Sequence, residues 1–311
     1  MLALFNIVLP VFIVIGAGYS AVRGGLLSRE HADGLMKFAT SFAVPCLLFS
    51  AISRLDLGAS FDPRLLASFY IGATTSFILT ALTARHLLKH NSDEAVVIGF
   101  AALFGNTLLL GLAIVERAYG AATMQLAFVI ISIHAPFCYL LGIITMEFVR
   151  ASDKPIGVTL LATLKTVLTN ALMIAIMLGF FVNLTGLPLP GTFWAAIEMV
   201  SRAALPVALF GLGGALAQYG LRGNLRDVTV VSVSKLLIHP GITWLLATQV
   251  FDLPTDFTRA AVMIAAMAPG ANVYIFASMY NRAQKTIATS VITTTALSIL
   301  SASAWLAFLG T

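Results

Sequence analysis

Long apolar runs separated by short polar segments dominate this chain. Ten runs are about twenty residues long, the length that crosses the hydrocarbon core of a bilayer as a helix. Because only a helix satisfies the backbone hydrogen bonds of a single segment in lipid, we interpret each run as a transmembrane helix. The predicted spans are 2–22, 35–53, 64–83, 95–115, 123–148, 160–184, 191–218, 226–250, 258–280 and 286–308. No basic segment precedes the first run, which we therefore interpret as a span and not as a cleaved signal peptide.

Composition supports an all-α integral membrane protein. Of 311 residues, 59% are hydrophobic and 10% are charged, whereas a soluble domain carries about 25% charged residues. The net charge of +5 comes from dispersed basic residues, so it does not indicate a nucleic-acid surface. Cys46 and Cys138 form neither a CxxC pair nor a metal-ligand spacing. We predict no metal ion and no cofactor.

The basic residues alternate between loops and predict a topology. Loops after odd-numbered spans hold Arg23, Arg29, Lys37, Arg85, Lys89, Arg150, Lys154, Lys165, Arg222, Arg226, Arg282 and Lys285, and loops after even-numbered spans hold Arg54, Arg64, Arg117 and Arg259. The positive-inside rule places the odd loops in the cytoplasm and both termini on the non-cytoplasmic side.

The two halves of the chain resemble each other. Residues 43–50 read AVPCLLFS and residues 204–211 read ALPVALFG, which pairs the predicted kinks at Pro45 and Pro206. Five spans per half is an odd number, so the second copy enters the membrane from the opposite side. We predict two inverted five-helix repeats, residues 1–150 and 151–311, an arrangement typical of secondary transporters.

Spans 4 and 9 contain helix-breaking residues near their centres. Gly105 and Asn106 interrupt one, and Pro269, Gly270 and Asn272 interrupt the other. The second half-helices would begin near Thr107 and Asn272, and their free N–H groups would attract an anion at the midplane. Two structural kinks without a ligand are the alternative. The predicted substrate-binding residues are Gly105, Asn106, Thr107, Pro269, Gly270, Asn272 and Val273.

Three motifs resemble the auxin efflux carrier family over essentially the whole chain. They are NTLLLG at residues 106–111, KLLIHP at 235–240 and PGANVYIFA at 269–277. The resemblance implies the fold of the plant PIN-formed carriers, bile-acid symporters and sodium/proton antiporters. Helices 1, 2, 6 and 7 would form a scaffold that often dimerises, and helices 3–5 and 8–10 a mobile transport domain.

The resemblance also implies a function. The substrate would be a small organic anion, such as malonate, malate or an auxin-like acid, carried by elevator-type alternating access. The short loop at 149–159 is similar to that of the bacterial branch, which implies a bacterial inner membrane and a homodimer. A sodium-coupled symporter of the bile-acid type is the alternative in the same fold, and a sensor or receptor is the alternative outside it. The motifs of intramembrane enzymes are absent, so we do not predict an enzyme.

Ionisable residues inside predicted spans are functional candidates, and we single out Glu198, Arg202, Lys235, His134 and His239. Glu198 and Arg202 are four residues apart and are expected to pair on one helix face. Lys235 could balance the charge of a substrate or bond to span-9 carbonyls. His134 and His239 lie beside prolines and could be buried structural residues or a proton relay.

The acidic residues of spans 3, 4, 5, 9 and 10 lie only at span ends, at Glu94, Glu116 and Glu147. Carboxylate-based sodium coupling is therefore disfavoured. Proton coupling through histidine, lysine or Glu198 remains open.

Overall fold

The computed structural model describes residues 2–150, 161, 165, 168–220 and 222–310. In this part of the chain all regular structure is helical. The α-helices are α1 Leu2–Arg23, α2 Arg29–Phe38, α3 Val44–Ser53, α4 Leu57–Ser60, α5 Pro63–His86, α6 Ser92–Leu103, α7 Leu112–Arg150, α8 Ala171–Thr185, α9 Gly191–Ser201, α10 Ala204–Leu216, α11 Leu225–Val233, α12 His239–Leu245, α13 Thr255–Ala265, α14 Ala271–Tyr280 and α15 Gln284–Leu309. Single π-helical turns, π1 to π4, occupy Ala39–Ala43, Thr107–Gly111, Ser234–Ile238 and Leu246–Val250.

Seven helical stretches of the described chain are long and apolar enough to cross a bilayer. They are Asn6–Arg23, Arg29–Ser53, Pro63–His86, Thr107–Arg150, Gly191–Leu216, Leu225–Val250 and Gln284–Leu309. The predicted all-α integral membrane protein is thereby confirmed. The count of ten spans and the inverted repeat remain predictions, and the predicted start of span 6, at residue 160, lies outside the described residues.

Predicted span 4 is interrupted between Leu103 and Thr107. The stretch Thr107–Arg150 is broken between predicted spans 4 and 5 at Gly120, whose φ of 78° lies in the left-handed region that glycine adopts without steric cost. Predicted span 9 consists of two short helices, α13 and α14, on either side of Pro269. The described helix within predicted span 6, Ala171–Thr185, has 15 residues.

The chain divides into two compact units, each assembled from both halves of the sequence. The larger unit contains residues 1–8, 62–164 and 219–311, and the smaller unit contains 9–61 and 165–218. Helices α5–α7 and α11–α15 belong to the larger unit, and α2–α4 and α8–α10 to the smaller one. The predicted boundary between the two repeats, at residues 150/151, lies next to residues that the structure does not describe.

Glycines allow close helix packing in the smaller unit. A Cβ at Gly18 would overlap the carbonyl of Phe210, and one at Gly213 would overlap the carbonyl of Ile15. Helices α1 and α10 therefore approach with their backbones in contact, the packing that small residues permit between membrane helices. Asn183 of α8 ties this unit together further, because its amide donates to the carbonyls of Ile52, Ser53 and Leu55.

Aromatic side chains fill the core of the larger unit. Phe69, Phe77, Phe100, Phe128 and Phe276 are almost completely buried. The rings of Phe100 and Phe276 stack with centroids 3.9 Å apart, which joins α6 to α14. Helix α6 precedes the first interruption described next and α14 follows the second, so this contact lies beside both breaks within one compact unit.

Candidate functional site

The first interruption lies between α6 and π2. Helix α6 ends at Leu103, and the next regular turn begins at Thr107. A side chain at Gly105 would require the end of the Lys235 side chain to shift, because its Cβ would lie 2.9 Å from Nζ of Lys235 and 3.0 Å from Cε. Asn106 adopts φ −76° and ψ 57°, which is neither helical nor extended. Glycine and asparagine thus permit the backbone to leave the helix at this depth.

The second interruption lies between α13 and α14. Helix α13 ends at Ala265, and α14 begins at Ala271, preceded by Gly270 in an extended conformation. Pro269 cannot donate a backbone hydrogen bond, which opposes continuation of the helix. All residues from 266 to 270 are buried.

The two interruptions cross and pair with each other. Gly105 and Pro269 form an isolated antiparallel bridge. The Asn106 N–H donates to the carbonyl of Ala268 at 2.7 Å, and the Gly270 N–H donates to the carbonyl of Phe104 at 3.2 Å. Irregular backbone in a membrane must be satisfied by the protein or by water in a cavity. This crossing, residues 104–107 and 268–272, satisfies part of its own backbone hydrogen-bonding capacity.

The asparagines lie beside two helix starts. Asn106 precedes π2 without a side-chain cap, and its side chain is 8% exposed. Asn272 lies in the first turn of α14, and its Oδ1 accepts a hydrogen bond of 3.4 Å from the Tyr139 hydroxyl. The first N–H groups of a helix lack intrahelical partners and carry a partial positive charge. The crossing therefore presents two neutral amides and two positive helix ends.

The other predicted site residues of the crossing are also buried. Thr107 is 3% exposed and Val273 is fully buried. A Cβ at Gly270 would contact the backbone of Asn106 at 3.5 Å. The structure thus brings all seven predicted substrate-binding residues to one place, and their role in binding remains a prediction.

Lys235 places a buried amino group next to the crossing. It lies in π3, is fully buried, and its Nζ is 2.9 Å from Nδ1 of His239. The other ring nitrogen of His239 faces the Phe69 carbonyl at 3.4 Å. A carbonyl only accepts, so Nε2 of His239 carries the proton and Nδ1 accepts from Lys235. Its bonded partner among the described residues is His239, and both roles considered for Lys235 remain predictions.

His134 completes this buried group. Its ring is 2% exposed and lies 3.7 Å, measured at Nδ1, from the Cys138 Sγ. It packs edge-on against Phe69 and Phe104, with centroids 5.6 and 4.9 Å apart. The buried polar group of Lys235, His239, His134 and Cys138 therefore lines one side of the crossing.

The expected pairing of Glu198 with Arg202 is not what the structure forms. Glu198 instead accepts a 2.9 Å hydrogen bond from Arg54, whose guanidinium lies 4.2 Å from the ring centroid of Trp194. Arg202 keeps a helical conformation at the end of α9, but its side chain is exposed, and the Glu198 carboxylate bonds to Arg54 instead. Both Glu198 and Arg202 belong to the smaller unit.

The proline pair also lies in the smaller unit. Pro45 occupies the first turn of α3, directly after π1. Pro206 occupies the first turn of α10, after the interruption at residues 202–203. Pro45 therefore lies inside the continuous helical stretch Arg29–Ser53, next to π1, and Pro206 lies where α10 begins.

Sequence reasoning missed two partners. Tyr139, which donates to Asn272, is a single hydroxyl-bearing residue in a long apolar span, so its position gave no signal. The carbonyl of Phe69 belongs to the backbone, and a sequence pattern does not show which backbone carbonyl a side chain will meet. Cys138 is buried, and its thiol faces His134. The spacing of Cys138 four residues after His134 is the one signal that could have pointed to it.

A crossing of broken helices within a polytopic helical protein is typical of membrane transporters. Comparison with known proteins agrees, because the family model described as "Membrane transport protein" matches residues 3–306. The chain belongs to this family, the auxin efflux carrier family. It is a family of membrane transporters and not of enzymes.

Relatives align along nearly their full lengths. A protein of Rhizobium meliloti named "Putative malonate transporter" is 22% identical and covers 96% of this chain and 93% of its own. The uncharacterized transporter YfdV of Escherichia coli K12 is 23% identical, with 96% and 95% covered. Auxin efflux carrier component 8 of Arabidopsis thaliana is 22% identical, with 91% of each chain covered.

Proposed function

We propose that this transporter carries a small organic anion, a mono- or dicarboxylate such as malonate, malate or an auxin-like acid. The observation that carries the proposal is the crossing itself, where two helix starts and two neutral asparagines adjoin the buried cation of Lys235. Helix N-termini favour anions. The relative named as a malonate transporter supports a carboxylate substrate, at 22% identity.

The charge around the crossing supports an anion over a cation. The acidic residues of α6, α7, α14 and α15 lie only near helix ends, at Asp93, Glu94, Glu116 and Glu147. A substrate cation in this place would meet Lys235 without a counter-charge, which is costly at low dielectric. A carboxylate would instead replace the missing counter-ion of Lys235.

The movement in this proposal is an elevator-type alternating access. The larger unit, which holds the whole crossing, would be the mobile transport domain, and the smaller unit would be the scaffold and the surface of a homodimer. The proposed topology has ten spans in two inverted repeats. Both termini lie on the non-cytoplasmic side of a bacterial inner membrane. The observed division of the chain into these two sets of helices supports this part of the proposal.

Direct measurement of binding and flux tests this function. Purified protein is heated with a panel of carboxylic acids, because a ligand that binds the folded state raises the unfolding temperature. The stabilising acid is then supplied to proteoliposomes in radiolabelled form. We expect saturable uptake that persists without sodium. Binding without uptake would favour a receptor, and uptake that requires sodium would favour a symporter.

A further inference from the structure

A histidine links two carboxylates at one end of the larger unit. His90, in the connection between α5 and α6, places Nδ1 3.2 Å from Oε2 of Glu94 and Nε2 2.8 Å from Oδ1 of Asp227. Glu94 belongs to the first turn of α6, and Asp227 to the first turn of α11. These three residues form the His90 clasp, which joins segments 137 residues apart in sequence.

The hydrogen bonds define the charge of the clasp. An ionised carboxylate only accepts, so both ring nitrogens must donate for both bonds to exist. His90 is then an imidazolium between two anions. Loss of its proton removes one of the two donors, and the ring can hold only one carboxylate.

The loss of one donor from His90 matters because of the position of Asp227. The residue is fully buried, and its Oδ2 is without a hydrogen-bond partner among the described residues. Oδ1 depends on His90. A buried charge that loses its partner is strongly destabilising, so the bond to Asp227 should be the one that holds α11 in place.

The other charged groups around the clasp bind other partners or are exposed. The Arg85 guanidinium donates to the backbone carbonyl of His90 at 2.8 Å. Asp93, beside Glu94, binds Arg282 and lies 3.9 Å from Arg150. Exposed basic side chains on the neighbouring segments are those of His86, Lys89, Arg226 and Lys285. The imidazolium is therefore the cation that bonds to the Asp227 carboxylate.

The clasp lies at the beginning of two helices that lead to the crossing. Helix α6 runs from Ser92 to Leu103 and delivers Gly105, and α11 continues through π3, which carries Lys235. A change in how these helix starts are held can therefore alter the packing of Lys235 against Gly105.

We propose that the His90 clasp is a proton-operated latch that holds α6 to α11 and regulates transport through the crossing. The latch is fully closed when His90 is protonated; as the proton is lost, the neutral ring keeps a single N–H donor, so one of the two carboxylates is released and the latch weakens. Because the loop charges assign this end of the protein to the cytoplasm, the signal is cytoplasmic pH. The regulatory part rests on the proposed function, whereas the latch itself does not.

The pH range over which the latch responds follows from the environment of the His90 ring. Partial burial opposes the charged form, but the hydrogen bonds to Asp227 and Glu94 outweigh it, so the pKa of His90 lies above its ordinary value of 6.5. A folded-state pKa above the unfolded value means that the clasp contributes its full stability below about pH 6.5. The contribution is lost as pH rises through the higher folded-state pKa.

Thermal unfolding and hydrogen exchange of the full chain in detergent test the latch. The variants are His90→Gln, Asp227→Asn and, as a matched control, the exposed His86→Gln. At about pH 6 we expect the wild type and H86Q to unfold at least about 2 °C above H90Q, and the difference to shrink toward pH 8.5. Amide exchange in residues 87–98 and 222–232 should accelerate over the same range in wild type. A pH-independent difference, or exchange unchanged by pH, would overturn the latch.

Proteoliposome flux tests regulation separately. With the substrate fixed, the wild type should change its rate at least twofold between internal pH 6 and 8.5, and H90Q should change less than the wild type. Equal pH responses in the two proteins would overturn regulation by the clasp. Absence of flux from both proteins at every pH would reject the proposed function and the regulatory role, while the thermal and exchange results would still decide whether the latch exists.

Discussion

The Lys235 ammonium occupies the space that a side chain at Gly105 would need. A Cβ at that glycine would lie 2.9 Å from Nζ of Lys235. The cation of one helix therefore rests directly on the broken backbone of another. This contact is the basis for treating Lys235 and the crossing as one site.

Gly105→Ala should displace Lys235 and disturb the crossing. The added methyl group contacts Nζ and Cε, the flexible end of the Lys235 side chain, so the lysine moves aside at the low end of the about 1–3 kcal/mol that overpacking costs. We expect a folded protein with at least tenfold lower flux. Gly241→Ala in α12 is the control, because a Cβ there meets nothing within 4 Å. If G105A transports like G241A, Lys235 and the crossing are not functionally coupled.

Lys235→Gln separates charge from hydrogen bonding. The glutamine amide can still donate to Nδ1 of His239, so the protein should remain folded, but the positive charge is gone. We expect KM for the anion to rise at least about tenfold, which corresponds to 1.4 kcal/mol. Lys285→Gln, at the exposed start of α15, removes a charge elsewhere and should leave KM unchanged. An unaltered KM in K235Q would reject charge balance by Lys235.

Tyr139→Phe should loosen Asn272 without unfolding the protein. The hydroxyl bond to Oδ1 of Asn272 is long, at 3.4 Å, so its loss should cost about 1 kcal/mol or less. We expect a several-fold decrease in flux with a nearly unchanged unfolding temperature. Tyr274→Phe is the control, because Tyr274 contacts the Tyr219 ring through its own ring. A Y139F flux equal to that of Y274F would mean that Asn272 needs no such support.

Arg54→Ala should destabilise the smaller unit more than Arg202→Ala does. Arg54 contacts both the Glu198 carboxylate and the Trp194 ring, whereas Arg202 is exposed. The ion pair is about half exposed and is worth no more than about 1 kcal/mol, so the expected shift is small. A double-mutant cycle with Glu198→Gln measures it. Coupling of Glu198 to Arg202 but not to Arg54 would contradict the observed pairing.

The sequence predicted the features that local chemistry determines. Apolar run length gives the membrane class, and the clustering of Gly105 with Asn106 and of Pro269 with Gly270 gives the two breaks, whereas the isolated Pro10 and Pro136 lie inside helices. The Glu198–Arg202 pairing was wrong because Arg54, distant in sequence, bonds to the Glu198 carboxylate instead. The bonds Tyr139–Asn272 and His90–Asp227 join residues more than 130 positions apart, so no local spacing could have predicted them.

Replacing the two asparagines of the crossing tests the central claim most directly. Asn106→Ala and Asn272→Ala are compared with Asn91→Ala, an exposed residue before α6 whose side chain caps nothing. The measurement is uptake of the stabilising carboxylate into proteoliposomes at equal protein incorporation. We predict at least a tenfold lower kcat/KM for N106A and N272A and wild-type values for N91A. Wild-type uptake by both crossing variants would contradict an anion site at this crossing.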